Sequence, residues 1–557
     1  MAASTTAVRL PPPSQIAHAL AGIAPSELSK SPLLGILGVI MGAGIVTLTG
    51  RMISLGLPDL KGHVGISFDD GAWLSSAYNI ALMFIGPFTV YLGALMGPRR
   101  ILFFAATTFT VVCVFLPLIH SYSLLVVALV LAGLASGTFY PLTLTFALRN
   151  IPLRFLPFTI ALYATFVDGA VNIAPSLYGW YRDHLSWHWM FWNSAVITPL
   201  MALCIHYGIP PSPAPKKSAA PSFAAFLYGS LGFAMLYAAF DQGERLDWWR
   251  SGVFTALFLG GSFFLVAATV RRLQGPNPLV DMPYLRQWNT LLLGIGLFLF
   301  RFCLVTTIIL VPQSLGIHGF EANQIGPAVI WSAAPLILLA FVAGLLLLSG
   351  LDSRLLMASG FVFIALASYL NAELTSAWSA SNYFRTELLM GLGQSFAFIG
   401  LVATIILQGI FSGGLSKPQW ILTFSAFFHT VRLFGGELGA VFMGHFIAQR
   451  EKLHSNLLGL HVQSGNWITD SNIHGLTAEV FSKSSGLAAA TGRAVGLMSG
   501  RLRLQAYTLS IIDGFYLVAW ACVIALLLTS LLRKSPLNYG DLSAFQQPST
   551  APQEGKS

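Results

Sequence analysis

The sequence predicts an all-α membrane protein that crosses the bilayer many times, and three observations predict it. Of its 557 residues 55% are hydrophobic and only 9% are charged, at a mean hydropathy of +0.72. That leaves too little polar surface to cover a soluble domain. The apolar residues fall into fourteen runs, each about 20 residues and so long enough to cross a bilayer as a helix. The basic residues stand singly or in pairs between these runs, the pattern of membrane orientation. The formal charge of +9 therefore does not point to nucleic acid.

Taken in order, the runs centre near 34–56, 73–96, 101–119, 124–147, 158–180, 189–209, 223–240, 252–270, 289–311, 326–349, 355–371, 385–410, 420–446 and 506–532. The turn between the tenth and eleventh rests only on Ser349, Gly350, Asp352, Ser353 and Arg354. Residues 1–30 read as a polar tail with no apolar core behind a basic start, so the first span is expected to act as its own insertion signal. Two halves are expected at 31–210 and 288–532, with a linker and two extra spans at 211–287, a long outer loop at 451–504 and a tail at 533–557. The stretch Thr477 to Leu497 in that loop has helical amphipathic periodicity.

With the N-terminus inside, the inner segments hold Arg9, Lys30, Arg99, Arg100, Arg149, Arg154, Lys216, Lys217, Arg271, Arg272, Arg286, Arg354, Lys417, Arg533, Lys534 and Lys556. The short outer loops hold only Lys61, Arg182, Arg245, Arg250 and Arg385. This bias places both termini in the cytoplasm. The halves also echo each other. Phe68-Asp69-Asp70 precedes Gly97-Pro98-Arg99-Arg100 by 29 residues, and Phe320-Glu321-Ala322 precedes Gly350-Leu351-Asp352-Ser353-Arg354 by 30, counted Phe to Gly. Internal duplication of this kind builds secondary transporters, with the site between the repeats.

Within the fifth span Asp168, Asn172, Pro175 and Gly179 recur at i, i+4, i+7 and i+11, one narrow stripe of a helix. Lipid rejects such a face, since a charge costs about 2.5–3.5 kcal/mol at mid-membrane. The stripe should meet other helices or a wet cavity. Ala174-Pro175-x-x-Tyr178-Gly179, followed by Trp187-His188-Trp189-Met190-Phe191-Trp192, resembles the fifth-helix antiporter motif GPxxGG and the lead into the sixth helix of the fourteen-span drug/proton antiporters of the major facilitator superfamily, the EmrB/QacA type. Asp241-Gln242-Gly243-Glu244-Arg245-Leu246-Asp247-Trp248 resembles their outer loop between the two extra helices. Arg432-x-x-Gly435-Gly436-x-x-Gly439 resembles their thirteenth-helix signature, and Gly391-x-Gly393-Gln394 the start of their twelfth helix.

The sequence also departs from that pattern. Gly50 stands where the family has a first-helix acid, Leu129 where its fourth-helix motif has arginine, Ala94 where its loop motif has aspartate, and Ala174 and Tyr178 where it has glycine. From the loop motif Gly97, Arg99 and Arg100 remain.

No hydrolase, kinase or zinc-protease motif is present, and the dispersed histidines do not make a metal site; His184 and His188 read as polar anchors. Cys113, Cys204, Cys303 and Cys522 all fall inside spans and read as packing residues. Chemistry is left to ionisable residues at membrane depth: Arg51, Asp168, Arg301, Arg432 and Glu437, with Glu387 nearer an outer end. Asp168 and Glu437 are the proton-coupling candidates. Arg51, Arg301, Arg432, Asn79, Asn172 and Gln394 are the substrate-binding candidates. Pro175, Gly179, Gly97, Arg99, Arg100, Gly435, Gly436 and Gly439 are candidates for gating and helix packing.

Arg51 and Arg301 occupy matching faces of the first helix of each half, so they either converge on Asp168 and a substrate anion, or Arg51 snorkels to the headgroups. Arg432 and Glu437, five residues apart, cannot pair within their own helix.

The resemblance implies a non-enzymatic, cofactor-free exporter of amphiphilic small molecules in a bacterial inner membrane, working by proton antiport and alternating access. Its implied partners are substrate, proton and bilayer and, in a double-membrane bacterium, a periplasmic adaptor and outer-membrane channel. The alternatives are a carrier or symporter for anionic metabolites or fatty acids, and an uncoupled receptor or scaffold that kept the fold.

Overall fold

The structure, a computed structural model, describes residues 31–210, 223–273, 286–412, 415, 418–463 and 465–544. The tail 1–30, the linker segments 211–222 and 274–285, and the basic residues Arg9, Lys30, Lys216, Lys217, Lys417 and Lys556 lie outside the described residues.

Among the described residues fourteen helices are long and apolar enough to cross a membrane, and there is no strand. The first six are α1 (Pro32–Val64), α2 (Phe68–Met96), α3 (Pro98–Leu118), α4 (Tyr122–Asn150), α5 (Leu156–His184) and α6 (Trp189–Gly208). The inserted pair is α7 (Phe223–Gly243) and α8 (Gly252–Arg271). The last six are α9 (Trp288–Gly316), α10 (Ala322–Leu348), α11 (Ser353–Asn371), α12 (Ala380–Phe411), α13 (Trp420–Gly459) and α14 (Leu487–Leu531). Every expected span is present, most of them extended by a turn or more at one or both ends.

The first six helices pack among themselves, as do the last six, giving two bundles. The seam between them is made by α5 against α10 and α12, and by α13 against α2 and α4. The inserted α7 bridges that seam, packing on both α2 and α13. Lipid offers no hydrophobic drive for helix association, so close backbone approach has to supply the contact. Between α11 and α12 a Cβ on Gly360 would lie 2.0 Å from the Ala397 nitrogen.

Three spans are interrupted. α4 turns at Gly137–Thr138, α9 carries a π segment at Thr306–Leu310, and α10 breaks at Ala334–Pro335. Proline lacks the amide hydrogen and its ring blocks the preceding turn, which accounts for the last.

The segment 451–504, expected as a long outer loop with helical periodicity of its own, is built largely of helix. In it α13 continues to Gly459, a separate helix spans Trp467–Phe481, and α14 already starts at Leu487. The amphipathic stretch Thr477 to Leu497 is not one helix. It breaks over Ser482–Gly486, where small polar residues and a glycine at φ 153° interrupt it.

The turns after α2 and α10 are alike in detail. Gly97 and Gly350 both adopt positive φ, 83° and 94°, which lets the chain reverse sharply before the next helix. Arg99, just after the first, donates to the carbonyls of Ile209 (2.9 Å) and His206 (2.8 Å) at the end of α6. Arg354, after the second, donates to the carbonyl of Leu532 (2.6 Å) beyond α14. Each arginine thus caps the last helix of its own half. Arg100 is exposed.

Arg354 also pairs with Asp352 at 2.7 Å. Burial alone would raise the Asp352 carboxyl, but hydrogen bonds from the Arg354 side chain and backbone hold it below the ordinary aspartate range. A depressed folded-state value contributes stability that is present above the unfolded value and lost as pH falls through the folded one. Asp352→Asn should therefore lower stability at neutral pH by about 1 kcal/mol, after discounting for partial solvent screening. In thermal melts that deficit should shrink as the medium is acidified; a deficit independent of pH would contradict this.

Candidate functional site

The stripe on α5 faces the seam. Asp168 is 1% exposed and Asn172 fully buried. Opposite stand Arg301 of α9 and Arg432 of α13, the two cations that act electrostatically on Asp168, Arg301 first. The centre therefore takes its carboxylate from one half and both guanidiniums from the other. Both Asp168 oxygens, Nε and Nη1 of Arg301, Nε of Arg432 and Oδ1 of Asn172 are buried without a hydrogen-bond partner among the described residues.

Glycines on α13 make this arrangement possible. A Cβ on Gly436 would lie 2.8 Å from Nη2 and 3.1 Å from Nε of Arg301, and one on Gly439 would lie 3.1 Å from the Phe302 Cα. Gly435 faces Phe298 in the same contact. The glycine signature thus brings α13 against α9 and leaves room for the guanidinium.

Around the centre lies an aromatic wall. The Arg432 guanidinium carbon sits 4.2 Å from the Tyr140 ring centroid, a cation–π contact. His429, one turn before Arg432, stacks on the same ring at 4.8 Å and 23°. Tyr163 meets Tyr140 edge to face at 5.3 Å. His429 is fully buried, and neither of its ring nitrogens has a hydrogen-bond partner among the described residues.

Asn172 donates to Gln394 Oε1 across the seam at 2.8 Å, and Gln394 donates to Thr307 at 3.3 Å. These two expected residues therefore meet each other. The convergence of Arg51 on Asp168 is corrected, and so is the alternative in which it snorkels. Arg51 crosses the seam, but its Nη2 donates to the Ile308 carbonyl at 2.9 Å. Pro312, four residues on, has no amide hydrogen and so leaves that carbonyl without its regular helix partner. Asn79 lies half-buried on α2 across from Gly50. Glu387 stays inside the second bundle, beside Ser332 and Asn371.

Glu437 belongs to a second polar group, more than one turn beyond Arg432 along α13. Its Oε2 accepts from the buried Tyr237 of α7 at 2.6 Å. Asp241, one turn further along α7, is within hydrogen-bonding reach of Glu437 and accepts from Ser76 of α2 and from Gln242. Arg245 then joins Gln242 (2.6 Å) to Asp69 (3.3 Å). Asp241 is corrected from loop to helix, since α7 runs on to Gly243. Arg432 and Glu437 do find separate partners.

Near the C-terminal end of α5, α5 and α10 nearly touch. A Cβ on Gly179 would sit 2.8 Å from the Asn323 Cα, and one on Gly326 would sit 2.6 Å from the Ser176 Cα. Pro175 is buried in the same stretch. Tyr178 packs beside Gly56 of α1 and donates to Asp59. Between the two ends of the α5–α10 contact lies a cavity of about 250 Å³, lined by α1, α5, α6 and α10. Among the described residues no group of three or more His, Cys, Asp or Glu could hold a metal ion.

Sequence reading missed Tyr140, Tyr163 and His429. Two are tyrosines, invisible to a search for charge at depth; His429 could have been found as the polar residue three before Arg432.

Residues 39–440 match the Major Facilitator Superfamily. Among curated proteins the chain is 24% identical over 434 residues to the multidrug export protein EmrB of Haemophilus influenzae, covering 77% of this chain and 82% of that one. It is 24% identical to the probable multidrug resistance protein EmrY of Escherichia coli (76% and 82%) and 23% identical to the fatty acid resistance protein FarB of Neisseria gonorrhoeae (73% and 79%). A crystal structure of a double tryptophan mutant of XylE superposes with a TM-score of 0.53 at 11% identity, over 92% of this chain and 98% of that one, so the fold is shared. With the match spanning most of its length and two six-helix bundles around a central seam, the chain belongs to the Major Facilitator Superfamily.

Proposed function

We propose that this protein exports amphiphilic small molecules, drugs among them, in exchange for protons by alternating access. The relatives that are named multidrug exporters support the export of drugs. The observation that carries the coupling is the buried centre in which Asp168 of one half faces Arg301 and Arg432 of the other, with unpartnered polar atoms on all three. Two like charges so close repel, and the ionised carboxylate holds them together. A proton reaching Asp168 removes that hold, the guanidiniums separate, and a substrate group bound to both is released. Losing the proton on the inner side rebuilds the site.

Two guanidiniums against one carboxylate leave one positive charge uncompensated, and burial makes that costly. Substrates with an anionic group are therefore favoured. The FarB relative, named for fatty acid resistance, agrees with such a substrate.

Asp168→Asn keeps the shape and removes the titration. In proteoliposomes it should cut export driven by an imposed pH difference by at least about tenfold, while exchange of substrate across the membrane persists. Accumulation against a gradient in this variant would move the coupling elsewhere, with Glu437 and its Tyr237 and Asp241 partners as the next candidate.

Arg301→Lys replaces a planar fork by a point charge. Equilibrium binding of anionic ligands should weaken about tenfold or more, and that of neutral ligands much less. Equal losses would make Arg301 a structural contact only.

For orientation we propose both termini inside and residues 451–504 outside, supported by the basic bias. The helices there expose Trp467 (80%), Leu487 (66%) and Leu460 (65%), a surface suited to a periplasmic adaptor leading to an outer-membrane channel. Ser464, an obvious probe position, lies outside the described residues. A cysteine at exposed Ser471, in a background lacking the four native cysteines, should react with an impermeant thiol reagent in intact cells. Labelling only after lysis would overturn both the orientation and the adaptor surface.

A further inference from the structure

The break in α10 has a geometric consequence. α5 and α10 approach closely at the outer end, through Gly179 and Gly326, and again towards the inner end, where a Cβ on Gly344 would lie 2.6 Å from the Phe158 ring. Midway, where Ala334 and Pro335 interrupt α10, the two helices part around the cavity of about 250 Å³. Its lining is apolar apart from Thr165 and Ser194, and both halves contribute to it. Phe166, Ile173 and Ile337, which line it, are 40%, 41% and 60% exposed, so the cavity opens sideways through residues of the kind that face lipid tails.

Asp168, Arg301 and Arg432 do not line this crevice, but Thr165 at its edge lies near Asp168 around α5. Thr165 lines the crevice and Asp168 faces the arginines, and residues three apart on a helix differ by only about 60° around its axis. Gly169, next to Asp168, also lines it, where a Cβ would lie 3.3 Å from Leu336. An apolar chain lying in the crevice would therefore have its head within reach of the buried guanidiniums by passing one flank of α5. For scale, a cavity of about 150 Å³ holds a benzene ring. The space suits one chain or ring system and is small for the two chains of a bilayer lipid.

We propose that the crevice seats the apolar tail of the transported amphiphile, which comes in sideways from the bilayer while its anionic head occupies the Asp168–Arg301–Arg432 centre. The tail assignment rests on the reading of that centre as the head-group site. It does not depend on proton coupling, because it is tested at equilibrium.

The test is binding of straight-chain carboxylates, from butanoate through octanoate and dodecanoate to hexadecanoate, to the full-length protein in lipid nanodiscs without any gradient. In the parent, affinity should climb by up to about fourfold per methylene buried, then level off once the crevice is full. Gly44→Leu plugs the crevice from α1, and its Cβ would meet only Phe166, at 3.8 Å and beyond, so the backbone is undisturbed. It should flatten that climb, costing dodecanoate at least about tenfold and leaving butanoate unchanged.

Ile337→Trp, from the opposite wall, should act in the same way. Gly62→Leu on the same helix as Gly44, where a Cβ meets nothing within 4 Å, should bind like the parent. A parental climb in both plugged variants, or an equal loss in Gly62→Leu, would overturn the proposal. So would a chain-length dependence seen in detergent but absent in nanodiscs, which would assign the crevice to a bilayer chain. If butanoate binding is indifferent to Arg301→Lys, the head-group reading fails, and the plugged variants still judge the crevice.

Discussion

Burying three charges where two halves of a protein meet is the constraint on which this structure depends. A charge at membrane depth is tolerated only when it meets an opposite charge, a cavity or a ligand. Here the opposite charges sit on different bundles: Asp168 on α5, Arg301 on α9 and Arg432 on α13. Neither half can satisfy its own charge. In the coupling we propose, the attraction across the seam is also the switch, because one proton on the carboxylate removes it without altering any shape.

The rest of the fold serves that placement. Gly435, Gly436 and Gly439 bring α13 against α9 and admit the Arg301 side chain. Tyr140 presents a ring to Arg432, which replaces part of the solvation that the guanidinium lost on burial. Arg51 and the Asn172–Gln394 pair cross the same seam with hydrogen bonds. These polar links cross a seam that is otherwise made by close helix packing, α5 against α10 and α12 and α13 against α2 and α4. At the turns after α2 and α10, Arg99 and Arg354 tie each bundle to its own last helix, which suits two bodies that move as units. The inserted α7 adds a further polar link, where Tyr237 holds Glu437 and Asp241 accepts from Ser76.

Most of the fold was legible in the sequence because a bilayer permits so few solutions. Apolar runs of about 20 residues mark spans regardless of their partners. Helix ends were less legible, since α13 and α14 continue as helix well past their apolar segments, and no hydropathy signal records that. Asp168, Asn172, Pro175 and Gly179 stood out because four unusual residues on one stripe need a common reason. Arg51 was misjudged because its acceptor is the backbone carbonyl of Ile308, left free by Pro312, and a main-chain acceptor leaves no mark in side-chain spacing. His429 escaped because one histidine in an apolar helix is ordinary until its ring is seen stacked on Tyr140 with both nitrogens unpartnered. The lateral crevice follows from a proline-induced break opposite a glycine-bearing face, a relation between two distant segments that composition does not carry.

Whether ionised Asp168 controls the seam can be measured directly. Spin labels on the outer ends of α5 and α10, read by pulsed dipolar spectroscopy in nanodiscs, report how far apart the halves stand across a pH series. In the parent the distance distribution should shift from one population to another as pH falls, and Asp168→Asn should show the low-pH distribution at every pH. An Asp168→Asn variant that retains the parental pH dependence would show that the proton acts elsewhere, and the charge centre at the seam would not be the switch.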